Sequence, residues 1–428
     1  MTKRYYYGLG GLVLLFLGLA VFIYRWQEQH VTVLRVGYYA GSSWDVPNRT
    51  KNQVLDRAIK QFEAQHPKVK VVYESGIQKE DYSDWLADQI VQGKQPDVFI
   101  VPQDDFSLLD SIGALKSLDD KLSSQLTEPF YPVALSLGNY QGSYFALPFE
   151  ANPMMMSVNK TLLDKEGIDL PTDNWTLEDF YRICQQVTKD TDGDGLIDQY
   201  GITGYHWQDA LKAYGGSLFD EQHQINLVTP EMTSALTFMA KLEALSGKIQ
   251  VTSEDFDQGK VAFYPLSLAQ YRTYMPYPYH VAKYSQFSWT CIPMPAAKPS
   301  INATSVEASL FAISSKSKHP SLAFELLTLL TSSKAIQQEL VKESSGMSVL
   351  KDVMASQTTA SLLAQEDIEV GLGITPQTLT HLMTGAKEEA NQKLSKGTFE
   401  RIDYLLQKAI GQESLDTNLQ HIQKELSE

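Results

Sequence analysis

The segment TVLRVGYY, residues 32–39, alternates apolar and polar side chains, and this alternation is typical of a β-strand. The segment NQVLDRAIKQFEAQ, residues 52–65, places its apolar side chains on one face at helical spacing. Pro67 ends that helix, and VKVVY at 69–73 predicts a second strand. Another helical pattern leads to a third strand, PDVFIV, at 96–101. Strands that alternate with helices predict βαβ units and a parallel sheet.

The same alternation returns further along the chain. The spacing of apolar residues predicts helices near 176–188, 230–246, 320–332, 334–342 and 400–411. No short repeat and no long low-complexity segment interrupts the sequence. The pattern therefore predicts an α/β protein with two lobes.

Composition bounds the class of protein. The chain has 428 residues, of which 43% are hydrophobic and 11% aromatic, so it can build real cores and is not disordered as a whole. Asp and Glu together number 51 against 36 for Lys and Arg, which gives a formal net charge of −15. A nucleic-acid partner is excluded, because binding phosphate requires a basic surface.

The N-terminus carries an uncharged apolar run, GLGGLVLLFLGLAVFIY, at residues 8–24, with Lys3 and Arg4 before it. A buried globular helix fits poorly because nothing amphipathic breaks the run. A cleaved signal peptide would need small residues after the apolar core, but residues 22–26 contain none. A lipoprotein signal would need a cysteine just after the core, but the nearest cysteine is Cys184. We expect an uncleaved transmembrane signal anchor, with residues 1–7 in the cytoplasm, a linker at 25–32 and the bulk of the chain extracellular.

The sequence lacks the common catalytic motifs. It contains no GxSxG, no HExxH, no Walker loop and no GxGxxG that opens a helix, and its eight histidines are scattered. The two cysteines, Cys184 and Cys291, exclude a disulfide-rich scaffold and a CxxC-type zinc site. Whether these two cysteines pair with each other stays open.

Six segments carry motifs that occur together, in this order, in one family. They are FEAQHPKVKVVY (62–73), PDVFIVPQDDFSLLDSIGALKSLDD (96–120), SYFALPFEANPMMMSVNKTLL (143–163), PTDNWTLEDFYRICQQVT (171–188), QGKVAFY (258–264) and FAISSKSKHPSLAFELLTLLTS (311–332). Together they resemble the extracellular solute-binding proteins of ABC importers, specifically the large sugar-binding group that includes maltose-binding protein. The resemblance covers roughly residues 33–412.

This resemblance implies the two-lobed periplasmic-binding-protein fold of type II, which closes around a ligand by a hinge motion. The first lobe would comprise residues 33–145 and 293–346. The second lobe would comprise residues 146–292 and 347–428. The chain would cross between the lobes three times, near residues 144–149, 289–295 and 346–350.

The resemblance also implies a set of sugar-binding residues. Asp104 falls where the family has an aspartate that accepts hydrogen bonds from sugar hydroxyls, and Asn152 falls where the maltose binder has a ligand-contacting glutamate. Ala269 replaces a stacking tryptophan of the family, so Tyr271 would substitute for it and maltose itself is doubtful as the ligand. The implied ligand-binding residues are Trp44, Asp45, Asp104, Asp105, Glu150, Asn152, Tyr205, Trp207, Tyr264 and Tyr271.

The segment DTDGDGLID, residues 190–198, reproduces the first nine positions of an EF-hand loop, with carboxylates at positions 1, 3, 5 and 9 and glycine at position 6. Position 12, normally a bidentate glutamate, is Gly201, so Gln199 or a distant acid would have to complete the shell. The alternative is an acidic turn without a metal. We expect a structural Ca²⁺ ion, far from the sugar, with the ligands Asp190, Asp192, Asp194, the Leu196 carbonyl, Asp198 and Gln199.

These observations favour a membrane-tethered, extracellular receptor that binds a carbohydrate, in particular an oligosaccharide, and delivers it to the transmembrane subunits of an ABC permease. We expect the receptor to be a monomer and not an enzyme. One alternative is a cell-surface glycan hydrolase that uses two of Glu150, Asp104 and Asp45. Another is a sugar-binding sensor or assembly subunit.

Overall fold

The computed structural model describes residues 31–44, 46, 52–102, 104–220, 222–247, 249–275, 287–366, 373–388 and 394–427. The cytoplasmic tail, the anchor at 8–24 and most of the linker, which were predicted from sequence, lie outside these residues. No helix within the described ranges combines the length and the apolar character needed to cross a membrane.

A mixed β-sheet forms the centre of the molecule. Its strands, together with a short separate hairpin (β4 and β5), are β1 (Thr32–Gly37), β2 (Val69–Tyr73), β3 (Val98–Ile100), β4 (Asn139–Tyr140), β5 (Ser143–Tyr144), β6 (Ala146–Asn159), β7 (Tyr200–Ile202), β8 (Val261–Ser267), β9 (Trp289–Ile292), β10 (Ser305–Ile313), β11 (Met347–Ser348) and β12 (Lys387–Glu388). The sheet order is β2-β1-β3-β10-β6-β8-β7, while β9 and β11 pair with β6 and β12 pairs with β10. Strands β1, β2 and β3 are parallel, as the sequence pattern predicted.

Helices cover the sheet on both lobes. They are α1 (Gln53–Gln65), α2 (Tyr82–Val91), α3 (Phe106–Ser111), α4 (Ser124–Thr127), α5 (Pro132–Ser136), α6 (Lys160–Lys165), α7 (Leu177–Val187), α8 (Trp207–Ala213), α9 (Pro230–Ser246), α10 (Ser253–Asp257), α11 (Leu268–Tyr274), α12 (Pro320–Ser332), α13 (Lys334–Glu343), α14 (Lys351–Met354), α15 (Gln357–Glu366), α16 (Pro376–Met383), α17 (Lys396–Ala409) and α18 (Leu415–Ser427). A 3₁₀ turn lies at Asp119–Lys121.

Strand β6 joins the two lobes. Its first half, up to Pro153, pairs antiparallel with β10, and its second half, from Met154, pairs with β8. Almost every residue of this 14-residue strand is buried, because both of its faces are covered. Strand β6 is therefore a continuous link between the part of the sheet that contains β10 and the part that contains β8.

Each lobe has its own hydrophobic core. The first packs β1, β3 and β10 against α1 and α12 through residues such as Leu34, Phe62, Phe99, Phe311 and Leu326. The second packs the later half of β6 and β8 against α7, α9, α17 and α18 through residues such as Val158, Phe180, Phe263, Leu406 and Ile422. The predicted two-lobed α/β fold is thus confirmed.

A third core lies where the lobes meet. It packs Phe130 and Tyr131 with Val349 and Leu350, and it includes Met155 of β6. Phe130 and Tyr131 belong to the first lobe as predicted from sequence, whereas Val349 and Leu350 belong to the predicted second lobe. The residue limits of the lobes, as distinct from the two-lobed fold, therefore stay predictions.

Candidate functional site

A cavity of about 480 Å³ opens beside the carboxyl ends of β1 and β3. The loop after β1 contributes Tyr39 and Trp44, and the loop after β3 contributes Asp104 and Asp105. Lys396, the first residue of α17, also lines this cavity. We call this space the cleft cavity. Its volume and its mixture of aromatic and charged walls are typical of small-ligand sites at the strand ends of α/β proteins.

The two adjacent aspartates occupy different environments in the cleft cavity. Asp105 accepts a hydrogen bond from the Ser83 hydroxyl, whereas Asp104 is exposed to the cavity. Partial burial, followed by the neighbouring Asp105 charge, raises the pKa of Asp104, while Lys396 and Lys79 act in the opposite direction. Asp104 thus offers acceptor oxygens to a ligand in a cavity that Lys79 and Lys396 also line.

Trp44 is held firmly at the edge of this cavity. Its side chain is only 6% exposed, and its ring packs with Val46, Ala269 and Tyr274. The indole Nε1 donates a 2.8 Å hydrogen bond to Glu150 Oε1. The neighbouring Asp45, also predicted to bind ligand, lies outside the described residues.

Glu150 is buried within β6 and accepts several hydrogen bonds. Besides Trp44, the Gly346 amide donates to its Oε1 at 3.0 Å, and the Ser344 hydroxyl donates to the same atom. Burial raises the pKa of Glu150, and the hydrogen bonds oppose that rise. The side chain borders a void of about 40 Å³ and does not line the cleft cavity.

Asn152 and Tyr271 are buried and accept hydrogen bonds from backbone amides within the protein. Asn152 Oδ1 accepts a 2.9 Å hydrogen bond from the Ala269 amide, which fixes the start of α11. Tyr271 is 3% exposed, packs edge-to-face on Trp289 and accepts a hydrogen bond from the Ile374 amide. Neither residue lines the cleft cavity.

The remaining aromatic candidates also lie away from the cleft cavity. Trp207 is 1% exposed, and its Nε1 donates to Asp403 Oδ1 at 2.8 Å. It borders a separate, mostly apolar cavity of about 560 Å³. Tyr205 packs against aromatic rings of the second-lobe core, and Tyr264 packs against Phe256. The structure therefore brings Trp44, Asp104 and Asp105 together but not the second-lobe aromatics.

Sequence reasoning missed Tyr39, Lys79 and Lys396, which also line the cleft cavity. Tyr39 is the last residue of the alternating segment 32–39, so its position just after a predicted strand was a usable signal. Lys396 comes from the far C-terminal part of the chain and meets the cavity only through tertiary packing. No local pattern distinguishes it from other surface lysines.

The acidic loop at 190–198 forms a compact turn. Asp190 accepts hydrogen bonds from the amides of Gly193 and Gly195, both at 2.7 Å, and these lower the pKa of its carboxyl. Carboxylate oxygens of Asp190, Asp192 and Asp194 lie within 4.8 Å of one another. Three convergent carboxylates of this kind can hold a hard cation.

Two other predicted metal ligands make hydrogen bonds with protein groups. Asp198 accepts hydrogen bonds from the amide and hydroxyl of Thr191. Gln199 is buried, where its Nε2 donates to Glu166 and to the Val187 carbonyl, both at 2.9 Å. The structure thus does not bring Gln199 to the carboxylate cluster. Leu196, whose carbonyl was the remaining candidate, is an exposed residue of the turn.

Two α/β lobes that share one long central strand, with a cavity at the carboxyl ends of the strands, are typical of the periplasmic-binding-protein class. The sequence model of the bacterial extracellular solute-binding protein family matches residues 47–337. The chain belongs to this family, whose members are binding proteins and not enzymes.

Individual relatives agree with this assignment. A maltotriose-binding protein of Pyrococcus abyssi is 27% identical over 200 residues, which span 46% of this chain and 41% of that protein. The chain thus matches less than half of that relative's length. A cyclic α-maltosyl-1,6-maltose binding protein from Arthrobacter globiformis has a similar structure, with a TM-score of 0.74 at 17% identity over 92% of this chain and 98% of that one. An ABC substrate-binding protein from Listeria monocytogenes, in complex with cycloalternan, has a TM-score of 0.63 at 18% identity over 93% of this chain and 97% of that one.

Proposed function

We propose that this protein is an extracellular receptor that binds an oligosaccharide in the cleft cavity and delivers it to an ABC permease. The observation that carries the proposal is the combination of Tyr39 and Trp44 with Asp104 and Asp105 around one cavity. Sugar rings present apolar faces to aromatic side chains and hydroxyls to carboxylate acceptors. The relatives named above, which bind linear or cyclic oligosaccharides according to their descriptions, support the ligand class.

The test is a binding screen of the full-length protein in detergent against linear and cyclic oligosaccharides, read by isothermal calorimetry. Asp104→Asn should weaken binding about tenfold or more, because a charged acceptor bonds hydroxyls more strongly than a neutral one. Asp120→Asn is the matched control, since Asp120 is exposed in the 3₁₀ turn and away from the cleft cavity. Unchanged affinity in Asp104→Asn, or no carbohydrate ligand at all, would contradict the proposal.

The same samples separate a receptor from a glycan hydrolase. New reducing ends are measured while the ligand is bound at saturation. A receptor releases none, whereas a hydrolase would release them at a rate that depends on Asp104 or Glu150. Sustained turnover would contradict the receptor function and favour the glycan hydrolase.

We further propose that the receptor is a monomer tethered to the membrane by residues 8–24, with the lobes outside the cell. The uncharged character of that run and the cations Lys3 and Arg4 before it support the orientation. The match to a family of extracellular proteins supports the location of the lobes.

The acidic loop is proposed to bind Ca²⁺ as a structural ion, through Asp190, Asp192 and Asp194. The convergence of their carboxylates and the EF-hand spacing support this assignment. Ca²⁺ that binds the native state should raise the melting temperature by mass action. Millimolar Ca²⁺ should therefore raise it relative to EGTA, and Asp192→Asn should abolish the difference. Asp173→Asn, on an exposed loop, is the control; equal melting in Ca²⁺ and EGTA would favour an acidic turn without a metal.

A further inference from the structure

Gly346 lies at the centre of a buried polar cluster where the chain crosses between the lobes. Its amide donates to Glu150 Oε1 at 3.0 Å, and its carbonyl accepts from an Arg272 guanidinium nitrogen. The same Glu150 oxygen accepts from Trp44 Nε1 at 2.8 Å. A chain of hydrogen bonds therefore runs from Arg272 in α11 to the ring that lines the cleft cavity.

The space at Gly346 admits no side chain. A Cβ atom there would lie 2.7 Å from Trp44 Nε1 and even closer to Glu150 Oε1. Such contacts are shorter than real Cβ atoms show, so any larger residue must displace the indole, the carboxylate or both. The glycine thus permits the bond between Glu150 and Trp44.

Glu150 does not line the cleft cavity and is linked to it through Trp44 and Ser43, which do. The carboxylate is 3% exposed and does not line that cavity. Its Oε1 already accepts from the indole of Trp44, the amide of Gly346 and the hydroxyl of Ser344. These donors occupy Oε1, and burial keeps the rest of the carboxylate away from the cleft cavity.

Helix α11 holds the other side of the indole. Ala269 and Tyr274 of this helix pack around Trp44. Arg272 of the same helix also pairs with Glu366 at 2.9 Å and donates to the Val341 carbonyl at 2.7 Å. The indole is therefore held at its N–H by Glu150 and packed against Ala269 and Tyr274 of α11, while it still borders the cleft cavity.

We propose that Glu150 is a positioning residue for Trp44 and not a ligand contact, and that Gly346 provides the space for this arrangement. The proposal rests on the proposed function, because it assigns Trp44 as the stacking surface of the oligosaccharide site. A pre-oriented ring binds a sugar face without losing rotamer freedom at that moment. Loss of the Glu150 bond allows the indole to rotate and lowers the affinity for ligand.

A double-mutant cycle tests the proposal with the oligosaccharide found by the screen. Trp44→Phe keeps an aromatic ring and removes the N–H, while Glu150→Gln weakens the acceptor without changing its shape. Glu150→Gln should weaken binding about five- to tenfold in the otherwise native protein and less than twofold in the Trp44→Phe background. A direct contact between Glu150 and the ligand would give the same fold loss in both backgrounds and would overturn the proposal.

Gly346→Ala gives an independent cycle that does not require Glu150→Gln to fold. It should weaken binding in the native background, and the loss should shrink in the Trp44→Phe background because no N–H remains to be misplaced. Gly397→Ala is the control, because nothing lies within 4 Å of a Cβ atom at that position. Equal losses in both backgrounds would contradict the role given to Gly346.

A readout without ligand separates this proposal from the proposed function. The indole N–H resonance of Trp44, assigned in ¹⁵N-tryptophan-labelled protein by its loss in Trp44→Phe, reports the hydrogen bond to the carboxylate. We expect Glu150→Gln and Gly346→Ala to shift this resonance upfield, and Gly397→Ala to leave it unchanged. An unshifted resonance in Glu150→Gln would overturn the positioning role even if a sugar binds. A shifted resonance without any sugar ligand would instead leave the positioning of Trp44 intact and reject the proposed function.

Discussion

Arg272 is the most fully buried cation described in the structure, with a side chain 1% exposed. Its guanidinium donates to both oxygens of Glu366 and to the backbone carbonyls of Val341 and Gly346. Satisfaction of several donors at once is what makes burial of an arginine tolerable. Arg272 thereby joins helix α11 to α13, to α15 and to the crossing segment before β11.

Removal of Arg272 should strongly destabilise the protein. Arg272→Ala leaves Glu366 and two carbonyls buried without their donor, and such losses cost about 3–5 kcal/mol of the free energy of unfolding. Arg401→Ala is a matched control, because the Arg401–Glu425 pair is about half exposed and should contribute about 0–1 kcal/mol. Urea denaturation measures both values. Similar values for the two variants would mean that the buried cluster relaxes around the missing side chain.

At the scale of elements, helix α7 begins with a capping box. The Thr176 hydroxyl oxygen accepts a hydrogen bond from the Asp179 amide, while Asp179 Oδ2 accepts from the amide and the hydroxyl of Thr176. This arrangement satisfies amides at the start of the helix that have no partner within it. The helix then buries Phe180 and Ile183 in the second-lobe core.

Thr176→Ala should destabilise the protein by about 1 kcal/mol, because it removes both hydrogen bonds made by the cap hydroxyl. Thr237→Ala provides the control. Thr237 is exposed within α9, its hydroxyl donates to the Thr233 carbonyl of the same helix, and alanine is the better helix former. Thermal melting of the two variants measures the difference. A greater loss in Thr237→Ala than in Thr176→Ala would contradict the role of the cap.

Helices were predictable where apolar spacing extends over several turns. The predicted helices at 230–246 and 320–332 agree with α9 and α12 at both ends, because Thr229 caps α9 and Pro230 and Pro320 stand at the first helical positions. The helix predicted at 400–411 begins earlier, at Lys396, since Ser395 caps it through the Thr398 amide. Short helices such as α14 carry too few turns for a periodic signal.

The site was predictable only in part. Asp104 follows a recognisable strand, so its place near the strand end was predictable from the pattern, whereas its ligand-binding role was implied by the family resemblance. Glu150, in contrast, is held by Trp44 and Gly346, which are distant from it in the chain. Trp207 and Tyr205 are buried because their rings complete the second-lobe core, and residue type alone does not separate a core ring from a binding surface.

At the scale of the whole molecule, residues that are far apart in the chain line the cleft cavity together. Asp104 belongs to the loop after β3, and Lys396 belongs to α17, which packs in the second-lobe core. Strand β6 connects the two cores and leaves the cleft cavity on the first-lobe side of the junction. A ligand in this cavity would contact parts of the chain that only the complete fold brings together, which agrees with a family that closes around its solute.

The apolar run at residues 8–24 can be tested as a membrane anchor. If residues 8–24 form the anchor, Leu15→Arg places a charge near the centre of the apolar run, which costs about 2.5–3.5 kcal/mol of insertion free energy. The variant should move from the membrane fraction to the soluble fraction after an alkaline wash. Val31→Arg is the control, because Val31 is 52% exposed before β1 and the same charge there faces water.

N-terminal sequencing of the membrane-extracted protein completes this test. An uncleaved anchor gives a chain that begins at Met1 or Thr2, whereas a start near residues 25–32 would show that a signal peptide had been removed. In that case Leu15→Arg would lower secretion instead of releasing a folded receptor. Because the two lobes have cores of their own, the released Leu15→Arg protein should keep the oligosaccharide affinity of the detergent-extracted chain. Loss of that affinity would mean that the membrane segment contributes to the fold of the binding site and does not act only as a tether.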